Sequence, residues 1–291
     1  MNNPLSKLIL GTVQMGLNYG INNKLGKISL EDSYQILLRA HVSGITTLDT
    51  AEAYGNAHKV IGEFHKSYPN HKFNIVTKVP HSIEESSIEI KIKEYLEDLE
   101  VNCLEILMFH SFDSFKSNKG ACLKLLELKS KGLIKHIGVS VYTNDQIEYL
   151  LDQDDITVVQ LPFNLLDNYS VRGDLLEELK LKGKIIHTRS AFLQGLFFKK
   201  TSDKNKIVQK LKSELEILNQ IVEQSNCSME ELALSYCLFQ KKIDNVIIGV
   251  DSEDHLNTNI KASSYKIEED TILKINNIKT KDLDLLNPSL W

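Results

Sequence analysis

Short apolar runs rich in β-branched residues recur along the chain at positions 7–10, 46–48, 74–77, 105–109, 136–139, 157–161, 185–188 and 245–248, and runs of this length and composition predict eight strands. Between them, stretches such as 30–42, 88–99, 122–131, 146–151 and 175–182 place apolar residues three and four positions apart, the spacing of amphipathic helices. Several of these end on glycine before the next strand, at Gly44, Gly132 and Gly183, where glycine takes the left-handed conformation that closes a helix. Strand and helix alternate with a repeat of roughly 25–30 residues, and eight such units closing on themselves predict a (β/α)₈ TIM barrel of the α/β class. The competing architecture is a doubly wound open sheet, but no GxGxxG follows an early strand, so its phosphate-binding turn is missing.

One interval is longer than the rest, between positions 188 and 245. It holds the polar segment Lys199-Lys200-Thr201-Ser202-Asp203-Lys204-Asn205-Lys206 and two helical patterns, at 207–223 and 229–239. The polar segment is either a solvated loop or a piece that closes over a bound ligand. With no Pro- or Ser-rich linker in 291 residues, a single domain over 1–291 is expected. At 42% hydrophobic and 25% charged residues, the chain can bury a large core.

The formal charge of -5 argues against a nucleic-acid partner. No apolar run is long enough to span a bilayer or to serve as a secretory leader, so a cytoplasmic protein without a membrane partner is expected. The sequence implies no oligomeric state. Cys103, Cys122, Cys227 and Cys237 show neither a CxxC pair nor a metal-ligand spacing, which predicts reduced thiols and no metal site.

The chemistry lies where the second, third and fourth predicted strands end. Asp49 stands in Thr47-Leu48-Asp49-Thr50-Ala51 with Tyr54 just beyond, Lys78 in Ile75-Val76-Thr77-Lys78-Val79, and His110 in Leu107-Met108-Phe109-His110-Ser111. In a barrel of this kind the C-terminal strand ends face the active site. Singly, each residue has an ordinary explanation: a helix cap, a packed aromatic, a surface lysine, a hydrogen-bonded histidine. At the ends of successive strands, a carboxylate, a phenol, an amine and an imidazole form an acid–base set that packing does not require.

The segments Asp49-Thr50-Ala51-Glu52-Ala53-Tyr54-Gly55, Thr77-Lys78-Val79 and Phe109-His110-Ser111 resemble the catalytic tetrad motifs of the aldo-keto reductase family, in order and in spacing. The resemblance runs over nearly the whole chain, through Leu10-Gly11-Thr12, Ile137-Gly138-Val139-Ser140, Val159-Gln160-Leu161-Pro162-Phe163-Asn164 and Arg189-Ser190-Ala191-Phe192-Leu193-Gln194-Gly195. It implies nicotinamide-dependent reduction of a small aldehyde or ketone, or the reverse oxidation of an alcohol. Tyr54 is the implied proton donor. A charged Lys78 is expected to draw its phenol down from about 10 towards working range, Asp49 pairs with Lys78, and His110 hydrogen-bonds the carbonyl oxygen.

The same resemblance implies the cofactor contacts. Gly11, Thr12 and Asp49 line the cofactor near the first strands, Ser140 and Gln160 hold the nicotinamide carboxamide, and Arg189 stacks on its ring. Ser190, Phe192 and Leu193 run along the pyrophosphate, while Val141 replaces an asparagine common in the family. Positions 248–259 resemble the adenosine-binding loop, with Asn259 reading the adenine. Gly249 and His255 stand where NADP-specific members place a lysine and an arginine, and Asp251, Glu253 and Asp254 make the loop acidic. NADPH is the family default and NADH its competitor.

On the substrate side the implied residues are Tyr19, Tyr54, His110 and Asn164, with a bias towards sugars or nucleotide-linked sugars. Tyr19 belongs to Gln14-Met15-Gly16-Leu17-Asn18-Tyr19-Gly20-Ile21-Asn22, which a simple turn explains equally well. Trp291 ends the chain, either anchoring the tail or lining the pocket. Two other functions fit the fold: a nicotinamide-binding sensor or regulatory subunit with little turnover, and an aldolase or isomerase using Lys78 as a Schiff-base lysine.

Overall fold

The computed structural model describes residues 4–20, 23 and 26–291, the side chain of Lys119 excepted; the sequence reading of Ile21 and Asn22 lies outside them. Eight strands, β1 (Leu8–Gly11), β2 (Thr47–Asp49), β3 (Asn74–Val79), β4 (Leu104–Phe109), β5 (Ile134–Ser140), β6 (Val158–Pro162), β7 (Ile185–Arg189) and β8 (Asn245–Gly249), close into a barrel in chain order. Every pairing is parallel, and the seam joins β1 to β8 through Ile9 opposite Ile247 and Gly11 opposite Gly249. The strands begin within two residues of the sequence expectation, and all but β4 run one or two residues further at their C-terminal ends. The reason is that a ladder is made by backbone bonds, so it carries on through Asp49, Lys78, Ser140 and Arg189 after the apolar run has stopped.

Helices cover the barrel, among them Leu30–Val42, Ala57–Ser67, Ile88–Leu99, Lys119–Ser130, Asn144–Leu151, Tyr169–Leu181, Met229–Phe239 and Glu253–Ala262. Gly44, Gly132 and Gly183 take positive φ where their helices end. The pattern at 207–223 is two helices, Lys206–Lys210 and Lys212–Ser225. The polar segment before them is knit by its own bonds. Lys199 faces Asp203 at 3.6 Å, Asp203 Oδ1 accepts from Asn205 N–H, and Asn205 caps the next helix through Ile207 and Val208. Among the described residues no helix is long and apolar enough to cross a membrane. Trp291 packs partly buried against the core and donates from Nε1 to Leu285 O at 3.1 Å.

Most of the core lies between barrel and helices. A second, small cluster of Val76, Ile106, Met108 and Val158, with Ile185 against it, fills the barrel interior. Side chains alternate along a strand, so the face carrying Val76, Ile106, Val158 and Ile185 also carries Lys78, Met108, Gln160, His187 and Arg189 nearer the C-terminal rim. An apolar plug therefore underlies a polar layer at one mouth.

Behind the β5 and β6 ends, Arg172 (5% exposed) pairs with Asp167 (2%) through Nε at 2.6 Å and NH2 at 2.9 Å. Its remaining N–H groups reach Asn144 Oδ1 and Tyr142 O at 2.6 and 2.7 Å. Burial raises the Asp167 carboxyl above its ordinary range, although Arg172 pulls against it. Removing one partner of such a buried pair strands the other. Arg172→Leu is expected to cost about 3–5 kcal/mol, read as a lower urea midpoint, whereas adding Asp167→Asn restores part of it; equal losses in single and double variants would refute the assignment.

Candidate active site

The four acid–base residues come together at the C-terminal mouth. Lys78 is 2% exposed, and its ammonium donates to Asp49 Oδ1 at 2.6 Å and to Thr50 O at 3.0 Å. It lies 5.2 Å from the centre of the Tyr54 ring. The Tyr54 ring meets His110 edge-on at 5.9 Å and 84°. Complete burial pulls the Lys78 ammonium down, but the attraction of Asp49 and Tyr54 outweighs it and holds the amine above its ordinary value. A lysine held charged is no nucleophile, which disfavours the Schiff-base reading.

The expectation for Tyr54 is corrected. Burial lifts its phenol more than Lys78 lowers it, with Asp49 adding to the rise, so Tyr54 titrates above 10. His110 moves the other way, to about 4, through burial and the nearby Lys78 charge. Its imidazole is neutral at pH 7, and Nδ1 is buried without a partner among the described residues.

Local packing fixes where Tyr54 sits. A Cβ on Gly16 would come within 1.7 Å of Tyr54 O, so only glycine lets the segment after β1 run against the tyrosine backbone. Glu52, two residues earlier, accepts hydrogen bonds from the Tyr95 hydroxyl and, at 2.9 Å, from Lys91. These bonds tie the loop after β2 to the helix Ile88–Leu99.

The remaining predicted residues divide into three groups. Ser140 (5% exposed) and Asn259 (5%) sit at the ends of β5 and in the helix Glu253–Ala262, and among the described residues neither side chain has a partner within the chain. Arg189 stacks on Tyr142, its guanidinium carbon 4.0 Å from the ring centre, and donates to Val141 O at 3.0 Å and Ser190 Oγ at 3.5 Å. Tyr19 is 42% exposed and accepts from Gln194 Nε2 at 2.7 Å, joining the loops after β1 and β7. Phe192 packs partly buried against the core and lies 5.6 Å from the Phe198 ring.

Thr12, Asn164 and Leu193 have no exposed surface. The Thr12 hydroxyl donates to Asp49 O, Asn164 Oδ1 accepts from Leu166 and Asp167 N–H, and Leu193 N–H donates to Ser190 O. These bonds brace the loops, and Asn164 Nδ2 is buried with no partner among the described residues. Gln160 (1% exposed) spends its amide N–H on Asp49 Oδ2 at 2.9 Å, so it holds the acid from the side opposite Lys78.

In the adenosine-loop region, Gly249 is exposed, and a Cβ there would meet Gln14 Nε2 at 3.0 Å. Gln14 is 8% exposed and its Oε1 is buried without a partner among the described residues. Ser252 caps the helix Glu253–Ala262, with Glu253 and Asp254 in its first turn, and His255 Nδ1 lies 3.8 Å from Asp251 Oδ2. The sequence reasoning missed Gln14, His81, Tyr142 and Gln194 as site neighbours. Each sits within four residues of a motif residue, but only closure of the barrel makes them neighbours of one mouth.

A model of the Aldo/keto reductase family matches residues 7–280. The chain is 22% identical to the NADH-specific methylglyoxal reductase of Escherichia coli, over 91% of this chain and 92% of that one. It is 24% identical to the L-galactose dehydrogenase of Arabidopsis thaliana, over 92% and 91%. Among solved structures, an aldo-keto reductase from Bacillus halodurans in its holo form superposes with a TM-score of 0.78 at 18% identity, covering 94% of this chain and 92% of that chain.

His187 (3% exposed), on β7, and His58 (7%), whose Nε2 lies 2.8 Å from Thr77 Oγ1, are buried, and burial lowers both to about 4. Both are neutral above about pH 6.5 whether the chain is folded or not. As pH falls from about 6.5 towards 4, the unfolded chain takes up protons that the folded one refuses. Stability is thus full above that window and is lost through it, by on the order of 3 kcal/mol for each group. Urea midpoints measured from pH 7 to pH 4 should fall, and a His187→Gln variant should fall less; a flat profile would refute the assignment.

Proposed function

Since this chain belongs to the Aldo/keto reductase family and is an NAD(P)-dependent oxidoreductase, we propose that it reduces a small carbonyl compound with NADH, Tyr54 giving the proton to the carbonyl oxygen. The observation that carries this reading is the buried Lys78 ammonium, held between Asp49 and Tyr54. The nicotinamide supplies the hydride when bound.

As the carbonyl carbon takes the hydride, its oxygen becomes an alkoxide, a far stronger base than a phenolate. Proton transfer from Tyr54 is therefore downhill even though its phenol titrates above 10. In the resting site that elevation keeps the proton on Tyr54. Lys78 stabilises the phenolate left behind, and Asp49, fixed by Gln160, keeps the ammonium aimed. Neutral His110 offers the carbonyl oxygen a hydrogen bond without competing for the proton.

The residues present fit a dinucleotide. Ser140, Asn259 and Gln14 carry polar groups without partners among the described residues, and Arg189 offers a planar cation for stacking. The choice of NADH rests on the adenosine loop. At Gly249 a longer side chain meets Gln14, while Asp251, Glu253 and Asp254 surround the place where a 2′-phosphate needs cations. The NADH-specific relative in Escherichia coli supports the same choice.

Two experiments test the reading. Tyr54→Phe should lower aldehyde reduction by about 10²–10⁴-fold with NADH affinity, followed by the fluorescence of the bound nucleotide, nearly unchanged; retained turnover would remove Tyr54 from its role. His255→Arg should raise kcat/KM for NADPH relative to NADH roughly tenfold, the worth of one charge-assisted hydrogen bond. An unchanged ratio would place the 2′ position elsewhere.

A further inference from the structure

A second histidine stands at the mouth, outside the tetrad. His81, on the loop after β3, is exposed, yet its imidazole lies flat on His110, with ring centres 5.1 Å apart and planes at 20°. The loop beneath it is pinned. Asn118 donates from Nδ2 to His81 O at 3.1 Å and to Ser114 O at 2.6 Å, and its Oδ1 accepts from Ile83 N–H at 3.3 Å. An exposed imidazole fixed at both backbone and ring has less freedom to lose on meeting a ligand than an ordinary surface histidine.

One of its two tautomers has a donor at hand. Ser111 Oγ accepts the Ser114 N–H at 3.1 Å, capping the short helix Phe112–Ser117, and lies 3.3 Å from His81 Nδ1. With its oxygen engaged by the helix, the Ser111 hydroxyl has its proton free to donate to Nδ1. A neutral imidazole that accepts at Nδ1 carries its own proton on Nε2. That nitrogen has no partner in the chain among the described residues, and it sits on the ring that covers His110.

We propose that His81 is a substrate-specificity residue whose Nε2–H donates to a second oxygen next to the reacting carbonyl, so that the enzyme prefers 2-hydroxy or 2-oxo aldehydes to alkyl aldehydes. His110 binds the oxygen being reduced and His81 reads the neighbouring one. The proposal rests on the carbonyl-reductase reading above and deepens it.

The test compares 2-hydroxypropanal with propanal, both reduced with NADH. His81→Phe keeps a flat ring over His110 and removes the donor. It should lower the ratio of kcat/KM for 2-hydroxypropanal over propanal about three- to tenfold, the worth of one neutral hydrogen bond, with the change carried by KM. His81→Gln, which returns an N–H, should keep the ratio above that of His81→Phe. A ratio unchanged in His81→Phe, or a loss shared equally by both aldehydes, overturns the proposal and leaves carbonyl reduction standing. A wild-type protein that reduces neither aldehyde overturns both.

Discussion

The ion pair between Lys78 and Asp49 sets the terms for the rest of the mouth. Two opposite charges taken out of water cost several kcal/mol each in desolvation, and the structure offsets that cost with a short contact, the Thr50 carbonyl and the Gln160 amide. None of these partners is local in sequence to both charges. The pair forms only where β2, β3 and β6 bring their C-terminal ends together, and so the barrel must close before the charges can be buried.

Several other features follow from this arrangement. Burial lowers the basicity of His110, and the fixed ammonium adds to this, so the imidazole stays neutral. Burial keeps the proton on Tyr54, while the ammonium pulls against it and stabilises the anion that appears after transfer. The apolar cluster of Val76, Ile106, Met108 and Val158 seals the barrel beneath, which keeps the interactions above it strong. A backbone approach that only glycine permits, at Gly16 against Tyr54, fits the loop after β1 to this centre.

The outer mouth is where the chain departs from a minimal tetrad. Tyr19 and Gln194 join two loops across it, Tyr142 and Arg189 stack beside it, and His81 covers His110.

Eight apolar runs with helical stretches between them determined the barrel, because a strand buried on both faces needs a continuous apolar segment and little else. The positions of Asp49, Lys78 and His110 were legible too, since they lie at strand ends that the same pattern locates, with Tyr54 in the loop beyond β2. What the sequence could not decide was which polar atoms are already spent. Gln160 donating to Asp49, Thr12 to Asp49 O, and Asn164 closing a turn depend on residues up to 111 positions apart. The rise of the Tyr54 phenol likewise reflects burial that only the closed barrel supplies, and it reversed the expectation drawn from Lys78 alone. The sequence thus determined which groups reach the mouth, and tertiary closure decided their partners and charge states, because desolvation and hydrogen bonding act through space and not along the chain.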